Sequence, residues 1–484
     1  MLVGMLASAC APTVQPAQAP VGESLALAAP GVEEAVEAIF TPLPERPNYQ
    51  PGELVDYIAQ TGDTLPALVV RFNTTVAEIL AANSFIPQSA TTLPPGMPMQ
   101  IPIYYLPYWG SQFQILPDSL FVNGPAQVGF DTTAFVSGYP GWLNGYTEYA
   151  GDKSRSAAEI VDLVALNYSL SPRLLLALLE YQSGGLSRAA TPQELSYPLG
   201  YVSRLQRGLY LQLIRAADLL NDGYYRWRAG RFPPIEHTNG RIERPDPWQN
   251  AATVALQGYF ADLYDQPDYN RAIAADGFAS AYQSLFGDPW QALQAHIPGS
   301  LTQPGLALPF EYRKAWAFTG GPHTGWGTKQ PWAAIDFAPP SVVGGCSESS
   351  EWVTAMAAGV VARSETGIVE LDLDGDSDLR TGWVILYLHL ATQDRAALGT
   401  QVETRQPVGH PSCEGGRATG THVHIARKYN GEWILAAGPL AFNLDGWVAY
   451  EGSAAYLGSL KRFERVVQAS DKSGQASQVQ AEEP

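Results

Sequence analysis

The sequence predicts a multidomain α+β protein, and three observations support this prediction. First, the chain has 484 residues, more than one ordinary hydrophobic core accommodates, so two to four domains are expected. Second, 46% of the residues are apolar and 16% are charged, a composition typical of folded chains. Third, the apolar pattern changes along the chain: a short strand–helix–helix–strand segment is followed by a helical middle and a strand-rich last third.

The balance of charges excludes one class of function. Lys and Arg number 29, and Asp and Glu number 47, which gives a formal net charge of −18. A chain this acidic repels a phosphate backbone, and no local cluster of basic residues offsets the repulsion. The sequence therefore predicts no nucleic-acid partner. No apolar run approaches the roughly 20 residues that a membrane helix needs either.

The N-terminal segment predicts export. Residues 1–9 are almost wholly apolar, and small residues stand directly before Cys10, as they do before a cleavage site. The segment 1–10 resembles a bacterial lipoprotein signal, which implies lipidation of Cys10. The protein would then be exported to the cell envelope or the exterior, with a lipid anchor on the outer face of the membrane; the alternative is an unmodified Cys in a tail. Residues 11–54, rich in Pro and Ala, predict an extended tether.

Residues 55–103 predict a small unit with the order βααβ. The strand-like run 55–58 is followed by a turn and a helix N-cap at 62–64. Two short stretches with apolar residues at helical spacing come next. A Pro-Pro-Gly turn then leads into a last strand at 99–102.

Three runs in this unit resemble the LysM module: Tyr-Ile-Ala-Gln-Thr-Gly-Asp-Thr-Leu at 57–65, Ile-Leu-Ala-Ala-Asn at 79–83 and Leu-Pro-Pro-Gly at 93–96. The resemblance implies binding to the N-acetylglucosamine-containing glycan of peptidoglycan. It also implies a groove formed by Gly62, Asp63, Thr64 and the loop after Asn83. The same residues also suit capping and turning of the chain.

The middle of the chain predicts helices. Residues 104–150 are interpreted as a connecting segment, and residues 151–300 as a helical domain. Within this domain, residues 157–166 and 172–181 have apolar residues at helical spacing, and a Pro stands in the first turn of the second helix.

The segment 169–184 resembles the first helices of the lysozyme-like lytic transglycosylases. Their pattern places a catalytic Glu directly before Ser-Gly, where this chain has Gln182. A Gln cannot donate a catalytic proton. Glu180 lies two residues earlier, about 200° around the helix, and cannot replace it from the same face. The sequence therefore predicts a non-catalytic, lysozyme-like helical domain.

Residues 301–455 predict an antiparallel, β-rich domain, and residues 456–484 are interpreted as a polar tail. Five of the seven histidines lie in the last third of the chain: His323, His389, His410, His422 and His424. Imidazole and carboxylate side chains on rigid strands are suitable ligands for a catalytic zinc ion, which takes about three protein ligands and keeps a fourth position for water.

The strand period of two places some of these side chains together. His422 and His424 flank one residue of a strand-like run, so both imidazoles are expected on one face. His389 stands in another strand and is expected on the same face as Tyr387. Asp336 lies near the end of a third strand, just before Pro-Pro.

Four runs carry a further resemblance: Ile-Asp-Phe-Ala-Pro at 335–339, Ala-Met-Ala-Ala-Gly-Val-Val at 355–361, Tyr-Leu-His-Leu at 387–390 and Gly-Thr-His-Val-His at 420–424. In this order they resemble the lysostaphin-type (LytM-like) zinc endopeptidases. The common form of that family has a ligand His four residues before the Asp, where this chain has Trp332. The staphylolysin-like branch has its first His further upstream in Gly-x-His, with twelve residues between it and the Asp; His323 and Asp336 have that separation.

The resemblance implies Zn²⁺ bound by His323, Asp336 and His424. It also implies His389 and His422 as an unligated catalytic pair, with the choice of proton acceptor between them open. If His323 is not the replacement ligand, the metal site lacks one of its three ligands, and the domain is a pseudoenzyme.

The number of cysteines is consistent with export. If Cys10 carries lipid, Cys346 and Cys413 remain, and this even number can pair in an oxidising compartment. The staphylolysin-like branch carries disulfides in this domain, which suits a Cys346–Cys413 bond. Two buried free thiols are the alternative.

Two further features leave alternatives open. Residues 372–378 resemble a calcium loop, but Trp383 stands where a bidentate Glu is wanted, which favours a solvated hairpin tip. His410 suits either the lining of a cleft or a structural role.

The predicted function is that of a zinc metalloendopeptidase which hydrolyses the peptide cross-links of bacterial peptidoglycan and is held at the wall by the LysM module. Its partners would be the glycan and the stem peptides. The first alternative is a catalytically inactive peptidoglycan-binding scaffold or regulator of cell-wall hydrolases. The second is a glycosidase acting through the middle domain, which Gln182 disfavours.

Overall fold

The computed structural model of the protein describes residues 46–291, 294–340 and 344–483. The predicted signal with Cys10, and most of the predicted tether, lie outside these residues. The last part of the tether is folded: the Arg46 guanidinium pairs with Asp246 at 2.8 Å and lies 3.9 Å from the ring centroid of Trp248. The expected tether boundary at residue 54 is therefore too late, because these contacts fix the chain from Arg46 onward.

The N-terminal unit has the predicted βααβ order: β1 (Glu53–Ile58), α1 (Leu65–Arg71), α2 (Val76–Ala82) and β2 (Pro98–Ile103). Thr64 caps α1, and Thr75 forms a capping box with Glu78 at the start of α2. In the described part of the chain no single helix is long and apolar enough to cross a membrane. Only α1 and α2 taken together meet that criterion of length and composition, and they are bent by 102° at their break.

The middle of the chain forms a helical region with two small hairpins, β3–β4 and β5–β6. Its elements are α3 (Thr132–Ser137), β3 (Thr147–Ala150), β4 (Lys153–Ser156), α4 (Ala157–Tyr168), α5 (Pro172–Ser183), α6 (Pro192–Ser196), α7 (Leu209–Arg228), β5 (Ile235–Glu236), β6 (Ile242–Glu243), α8 (Ala251–Leu263), α9 (Gln266–Ala272) and α10 (Phe278–Phe286). Local sequence explains the helices α4 and α5. Ser156 forms a capping box with Glu159, and Ser171 caps α5 with Pro172 at its first position. The two longest helices, α7 and α8, pack closely against each other. A Cβ on Gly223 of α7 would lie 2.8 Å from the Cα of Ala255 in α8, so the absence of a side chain at Gly223 permits this approach.

The interpretation of residues 104–150 as a connecting segment needs correction. This segment contributes buried side chains to the same core as the helices: Ile115, Leu116, Phe121, Val122, Trp142 and Leu143. Its residues form short 3₁₀ turns and one helix of six residues. Such turns have no sustained hydrophobic period, so the apolar pattern does not reveal that the segment is part of the helical core.

The C-terminal part of the chain is built from strands: β7 (Ala315–His323), β8 (Ala334–Ala338), β9 (Val353–Thr354), β10 (Gly359–Glu365), β11 (Gly367–Asp372), β12 (Trp383–Leu390), β13 (Gln401–Val402), β14 (Pro407–Gly409), β15 (Val423–Tyr429), β16 (Glu432–Trp433), β17 (Asn443–Leu444), β18 (Trp447–Glu451), β19 (Gly458–Arg462), β20 (Arg465–Gln468) and β21 (Gln478–Gln480). Nine of them form one sheet in the order β13-β10-β11-β12-β15-β8-β7-β21, with β16 paired to β15. A second sheet has the order β17-β18-β19-β20. The predicted α+β class is confirmed.

Residues 456–484 are not a polar tail. They contain β19 and β20 of the second sheet, and β21 pairs with β7 at the edge of the large sheet. Leu460, Val467 and Val479 are buried. Each of these short strands buries only one residue, so its composition looks polar although one side chain belongs to the core. The domain expected to end at residue 455 therefore includes β21.

The two faces of the nine-stranded sheet are covered by different layers. On one face, Ile335, Phe337 and Tyr387 belong to the core of the C-terminal domain. On the other face, Ala334 and Trp433 belong to the core of the helical region. The helical region therefore lies directly against the sheet.

A buried ionic cluster joins the module, the helical region and the sheet. The guanidinium of Arg228 lies 3.1 Å from carboxylate oxygens of both Asp118 and Glu432, and it donates to the carbonyl oxygen of Thr61 in the module. Nε2 of His296 lies 2.7 Å from Glu432. Burial alone would raise the pKa of Glu432, but the Arg228 charge and the His296 ring outweigh it and lower the pKa to about 2.

Replacing Glu432 by Gln tests this cluster. The amide keeps the shape of the side chain but leaves the Arg228 guanidinium with Asp118 as its carboxylate partner. We expect the free energy of unfolding to fall by about 3 kcal/mol, the lower end of the cost of breaking a buried pair, because Asp118 remains. Urea denaturation followed by tryptophan fluorescence measures the loss. Asp268→Asn is the control, since Asp268 pairs with Arg271 on the surface and such pairs contribute little. Equal losses in both variants would contradict the prediction.

The same cluster predicts a specific acid sensitivity. The pKa of Glu432 is lowered from 4.5 to about 2 in the folded chain, so its contribution to stability is present above the unfolded-state pKa and is lost as the pH falls through the folded-state pKa. We expect the stability difference between the wild type and Glu432→Gln to shrink across that interval. Urea midpoints at a series of acidic pH values measure it, and a difference that does not change with pH would be the contrary result.

Candidate metal centre and catalytic histidines

Four neighbouring strands bring the predicted site residues to one end of the nine-stranded sheet. In the order β12, β15, β8 and β7 they carry His389, His424, Asp336 and His323. Asp336 lies directly opposite His424 on one side and Gly320 on the other. A Cβ at Gly320 would lie 2.5 Å from Oδ2 of Asp336, so the missing side chain makes room for the carboxylate.

Three atoms converge in the centre of this arrangement. Nε2 of His323 lies 3.1 Å from Nδ1 of His424. Oδ1 of Asp336 lies 3.3 Å from the first of these nitrogens and 3.2 Å from the second. All three side chains are buried.

The hydrogen bonds of the two rings determine which nitrogens carry a proton. Nδ1 of His323 lies 2.8 Å from the carbonyl oxygen of Gly321, and Nε2 of His424 lies 3.2 Å from that of Gly325. A carbonyl oxygen only accepts hydrogen bonds, so these nitrogens are the donors. The other nitrogen of each neutral ring then presents a lone pair towards Asp336, and Oδ1 of Asp336 has no hydrogen-bond partner.

This donor set fits a zinc ion. Ligands about 2.0–2.1 Å from a tetrahedral zinc ion lie about 3.3 Å from one another, and the three converging atoms are 3.1–3.3 Å apart. Burial disfavours the charged form of Asp336, but the neighbouring rings of His323, His424 and His422 outweigh it, so the pKa of the carboxyl lies well below its ordinary value. Burial lowers the pKa of His424, which favours the neutral, metal-binding form.

His389 and His422 form a second pair of imidazoles beside this cluster. Their ring centroids are 4.5 Å apart. Nδ1 of each ring lies 2.8 Å from a carbonyl oxygen, that of Glu414 for His389 and that of Gly420 for His422. The Nε2 atoms are therefore the acceptors when the rings are neutral. Burial and the neighbouring His422 lower the pKa of His389 to about 4, so this ring is neutral at pH 7.

The expectation that Tyr387 and His389 share one face of β12 is wrong. Tyr387 packs in the core on the opposite face, and its hydroxyl accepts from the N–H of Met356 at 2.7 Å. The register between β11 and β12 shifts so that Leu388 and Leu390, but not His389, have partners on β11. His389 has a φ of 67°. This bulge turns the imidazole to the face that carries the other histidines.

The disulfide between Cys346 and Cys413 is present, with 5.8 Å between the Cα atoms. It links the segment after residue 344 to the segment that contains Glu414, whose carbonyl oxygen orients His389. The Thr421 hydroxyl adds a second link by donating to the carbonyl of Ser347 at 2.5 Å. The disulfide therefore supports the loops around the histidine pair.

Tyr456 is a further residue at the site, and the sequence did not reveal it. Its ring stacks on His323 with centroids 4.1 Å apart and an interplanar angle of 22°. Its N–H donates to the carbonyl of Pro322, and its carbonyl accepts from Gly321. Burial and the charge of Asp336 raise its pKa. Its φ of 69° is uncommon for a Tyr, but this signal is structural, and no period or motif marks the residue.

The predicted glycan-contact residues of the module have structural partners. Asp63 is fully buried and accepts from Tyr57 and Arg71. The amide of Asn83 donates to backbone carbonyls and accepts from the N–H of Gln100. In this conformation neither side chain offers a free polar group.

The other two residues of that set lie at the start of α1. Thr64 caps the helix by accepting from the N–H of Ala67. A Cβ on Gly62 would lie 2.6 Å from the guanidinium carbon of Arg228, so the helical region approaches the module closely here. A role of all four residues in glycan binding stays a prediction.

Other candidate groups have structural surroundings. His410 packs on Trp352 with centroids 3.8 Å apart. Asp372, Asp374 and Asp376 place carboxylate oxygens within 4.8 Å of one another, but Asp372 accepts from three backbone N–H groups of the turn between β11 and β12. This is the expected hairpin tip.

The two residues compared with a lysozyme-like site also have partners. Gln182 donates to the Tyr259 hydroxyl at 3.1 Å. Glu180 accepts from the N–H groups of Leu186 and Ser187. Both side chains are thus engaged within the helical region.

An antiparallel sheet that carries a His/Asp/His ligand set beside two unligated imidazoles is the arrangement of a metallohydrolase. Comparison with known proteins agrees. Residues 114–299 match the LasA N-terminal domain, and residues 57–102 match the LysM domain. The chain is 25% identical to protease LasA of Pseudomonas aeruginosa (strain UCBPP-PA14) over 357 residues, covering 70% of this chain and 78% of that protein.

Two further similarities concern the C-terminal part. The chain is 29% identical to beta-lytic metalloendopeptidase of Achromobacter lyticus over 166 residues, which cover 33% of this chain and 41% of that protein. Among solved structures, it is 22% identical to the M23 metalloprotease pseudoalterin, with a TM-score of 0.29 and coverage of 35% of this chain and 96% of the other. The chain thus carries a LysM domain and a LasA N-terminal domain and is homologous to protease LasA and to beta-lytic metalloendopeptidase.

Metal content provides a direct test of the three converging atoms. We expect the purified full-length chain to retain about one zinc ion, in line with a three-ligand site. Asp336→Ala removes one ligand and should abolish stoichiometric binding. Asp394→Ala is the matched control, because Asp394 is an exposed carboxylate beside His410. Elemental analysis after dialysis against a weak chelator measures the content; unchanged zinc in Asp336→Ala would contradict the assignment.

Proposed function

We propose that the chain is a zinc metalloendopeptidase that hydrolyses the peptide cross-links of bacterial peptidoglycan and is held at the wall by its LysM domain. The observation that carries this proposal is the convergence of three lone-pair atoms, from His323, Asp336 and His424, beside a pair of free imidazoles. Homology to protease LasA and to beta-lytic metalloendopeptidase supports peptide-bond hydrolysis. The LysM domain supports peptidoglycan as the partner.

In this proposal His323, Asp336 and His424 hold the ion. When bound, zinc supplies a Lewis acid that polarises the scissile carbonyl and lowers the pKa of water to about 7. The carbonyl oxygens of Gly321 and Gly325 fix the two ligand rings in the required tautomers, as outer partners of metal-ligating histidines commonly do.

His389 and His422 would move the protons. A neutral ring whose Nδ1 is tied to a carbonyl can take a proton at Nε2 from the attacking water and return it to the leaving amine. A ring that is protonated at both nitrogens can donate from Nε2 to the oxygen on which negative charge develops. The low pKa of His389 keeps it in the accepting form at neutral pH. The two residues together cover both tasks.

We further propose that the substrate groups are the N-acetylglucosamine-containing glycan, bound by the module, and the stem peptides, bound at the metal centre. The protein would act outside the cytoplasm, anchored through lipid on Cys10 to the outer face of the membrane. The Cys346–Cys413 disulfide supports an oxidising compartment.

Hydrolysis of purified peptidoglycan tests the proposed activity. Wild type should release new amino termini without new reducing sugar ends. His422→Ala should keep its zinc and lose at least about 100-fold in rate, since a positioned acid–base group contributes that much. His410→Ala is the matched control, because His410 stacks on Trp352 and is held at the carbonyl of Glu351.

The outcomes separate the alternatives. Release of reducing ends instead of amino termini would indicate a glycosidase. Equal release of amino termini by the wild type and His422→Ala would show that His422 is not the acid–base group. No release by either would favour an inactive scaffold or regulator.

A further inference from the structure

Residues 297–301, here called the junction segment, lie between the helical region and the first strand of the peptidase sheet. They pass along the two loops of the LysM module that connect its strands to its helices, residues 59–64 and 83–97. At the first loop, the Thr61 hydroxyl accepts from the N–H of Ile297 at 3.0 Å and lies 3.2 Å from its carbonyl oxygen. The first loop therefore contacts the backbone of the segment at its beginning.

The second loop binds the rest of the segment. The Thr92 hydroxyl accepts from the N–H of Leu301 at 3.0 Å and donates to the carbonyl of Pro298 at 2.7 Å. The Thr92 carbonyl accepts from the N–H of Ser300 at 2.9 Å. The Thr91 hydroxyl donates to the carbonyl of Leu301 at 2.5 Å. The hydroxyls of Thr91 and Thr92 are thus engaged by the backbone of the segment.

The junction segment and the second loop also approach each other closely. A Cβ on Gly299 would lie 2.6 Å from Cγ and 2.7 Å from Cα of Pro94, so only glycine fits against the second loop. On its other side the segment is anchored to the C-terminal domain, because Ile297 and Leu301 are buried in one cluster with Ile434. The two loops themselves lie side by side, since the N–H of Leu93 donates to the carbonyl of Asp63 at 2.8 Å.

We propose that the junction segment occupies, within the same chain, the surface through which the LysM module binds glycan. This inference rests on the proposed glycan binding of the module. The hydroxyls of Thr61, Thr91 and Thr92 are the type of group that sugar hydroxyls and acetamides bind, and each is already bonded to the segment. Glycan and segment therefore compete, and the apparent affinity of the intact chain is reduced by the fraction of molecules in which the loops are free.

The competition couples the module to the peptidase. A glycan that displaces the segment from Thr61 and Thr92 also loosens the anchor at Ile434, next to β16 of the large sheet. The helical region and the peptidase sheet would then be joined by fewer contacts in a chain that is bound to the wall.

Gly299→Val in the full-length chain tests the proposal. The added side chain overlaps Pro94 and should push the segment away from the loops. Gly299→Ala, with a single methyl against the same atoms, gives a graded second variant in case the larger change impairs folding. Gly305→Val is the matched control, because a Cβ at Gly305 meets no atom within 4 Å.

Two readouts are needed: hydrogen exchange of residues 297–301, and binding of an N-acetylglucosamine oligomer, which contains no peptide bond to cleave. We expect faster exchange of the junction segment in both Gly299 variants. The oligomer should bind Gly299→Val about tenfold more tightly or more, as release of a mostly occupied surface requires, and Gly299→Ala with an intermediate affinity. Gly305→Val should match the wild type in both readouts.

Any other pattern overturns the inference. Faster exchange with equal or weaker oligomer binding would show that the segment does not cover the glycan surface. Unchanged exchange in both Gly299 variants would show that the contact with Pro94 is absent. If all forms bind the oligomer equally, the proposed glycan binding stands and the masking falls. If no form binds it, both fall, while the hydrolysis test of the metal centre is unaffected.

Discussion

The arrangement of the module, the helical region and the sheet depends on one buried charge, the guanidinium of Arg228. A charge inside a protein is tolerated only when counter-charges and hydrogen-bond acceptors surround it. Here those partners come from three regions: the Thr61 carbonyl from the module, Asp118 from the helical region and Glu432 from the sheet. The three regions must therefore meet at this point. Their meeting places the segment that starts after His296 along the loops of the module, and it holds the helical region on the sheet.

The candidate metal centre follows from the order of the strands. Four neighbouring antiparallel strands each have one of their two ends on the same side of the sheet, so residues separated by up to 101 positions in the sequence meet there. What distinguishes the centre from an ordinary buried polar cluster is its lack of protons: backbone carbonyls take the N–H of His323 and His424, and nothing donates to Oδ1 of Asp336. A cation satisfies such a cluster. Two residues beside this cluster, His389 and Tyr456, have positive φ.

Sequence patterns predicted the elements whose signals are local. The βααβ module, the capped helices α4 and α5 and the site histidines were recognised from caps, spacing and motif order. The misses have a common cause, because each depends on contacts between distant segments. Residues 104–150 have no sustained hydrophobic period. Residues 456–484 form short strands that are mostly exposed, so their sequence looks polar. The bulge that turns His389 to the face opposite Tyr387 leaves no mark in the composition. Tyr456 reaches the site only because its loop folds back onto β7.

The pairing of β21 with β7 has a practical consequence for handling the protein. β7 ends at His323 and has β8 as its partner on its inner side, while its outer side is satisfied by residues 478–480. Removal of the residues from 478 onward would expose an unpaired edge along Ala315–Ala317, at the end of β7 away from His323. Exposed edges invite pairing with other molecules, so loss of solubility after such trimming would be a packing effect and no sign of a regulatory element.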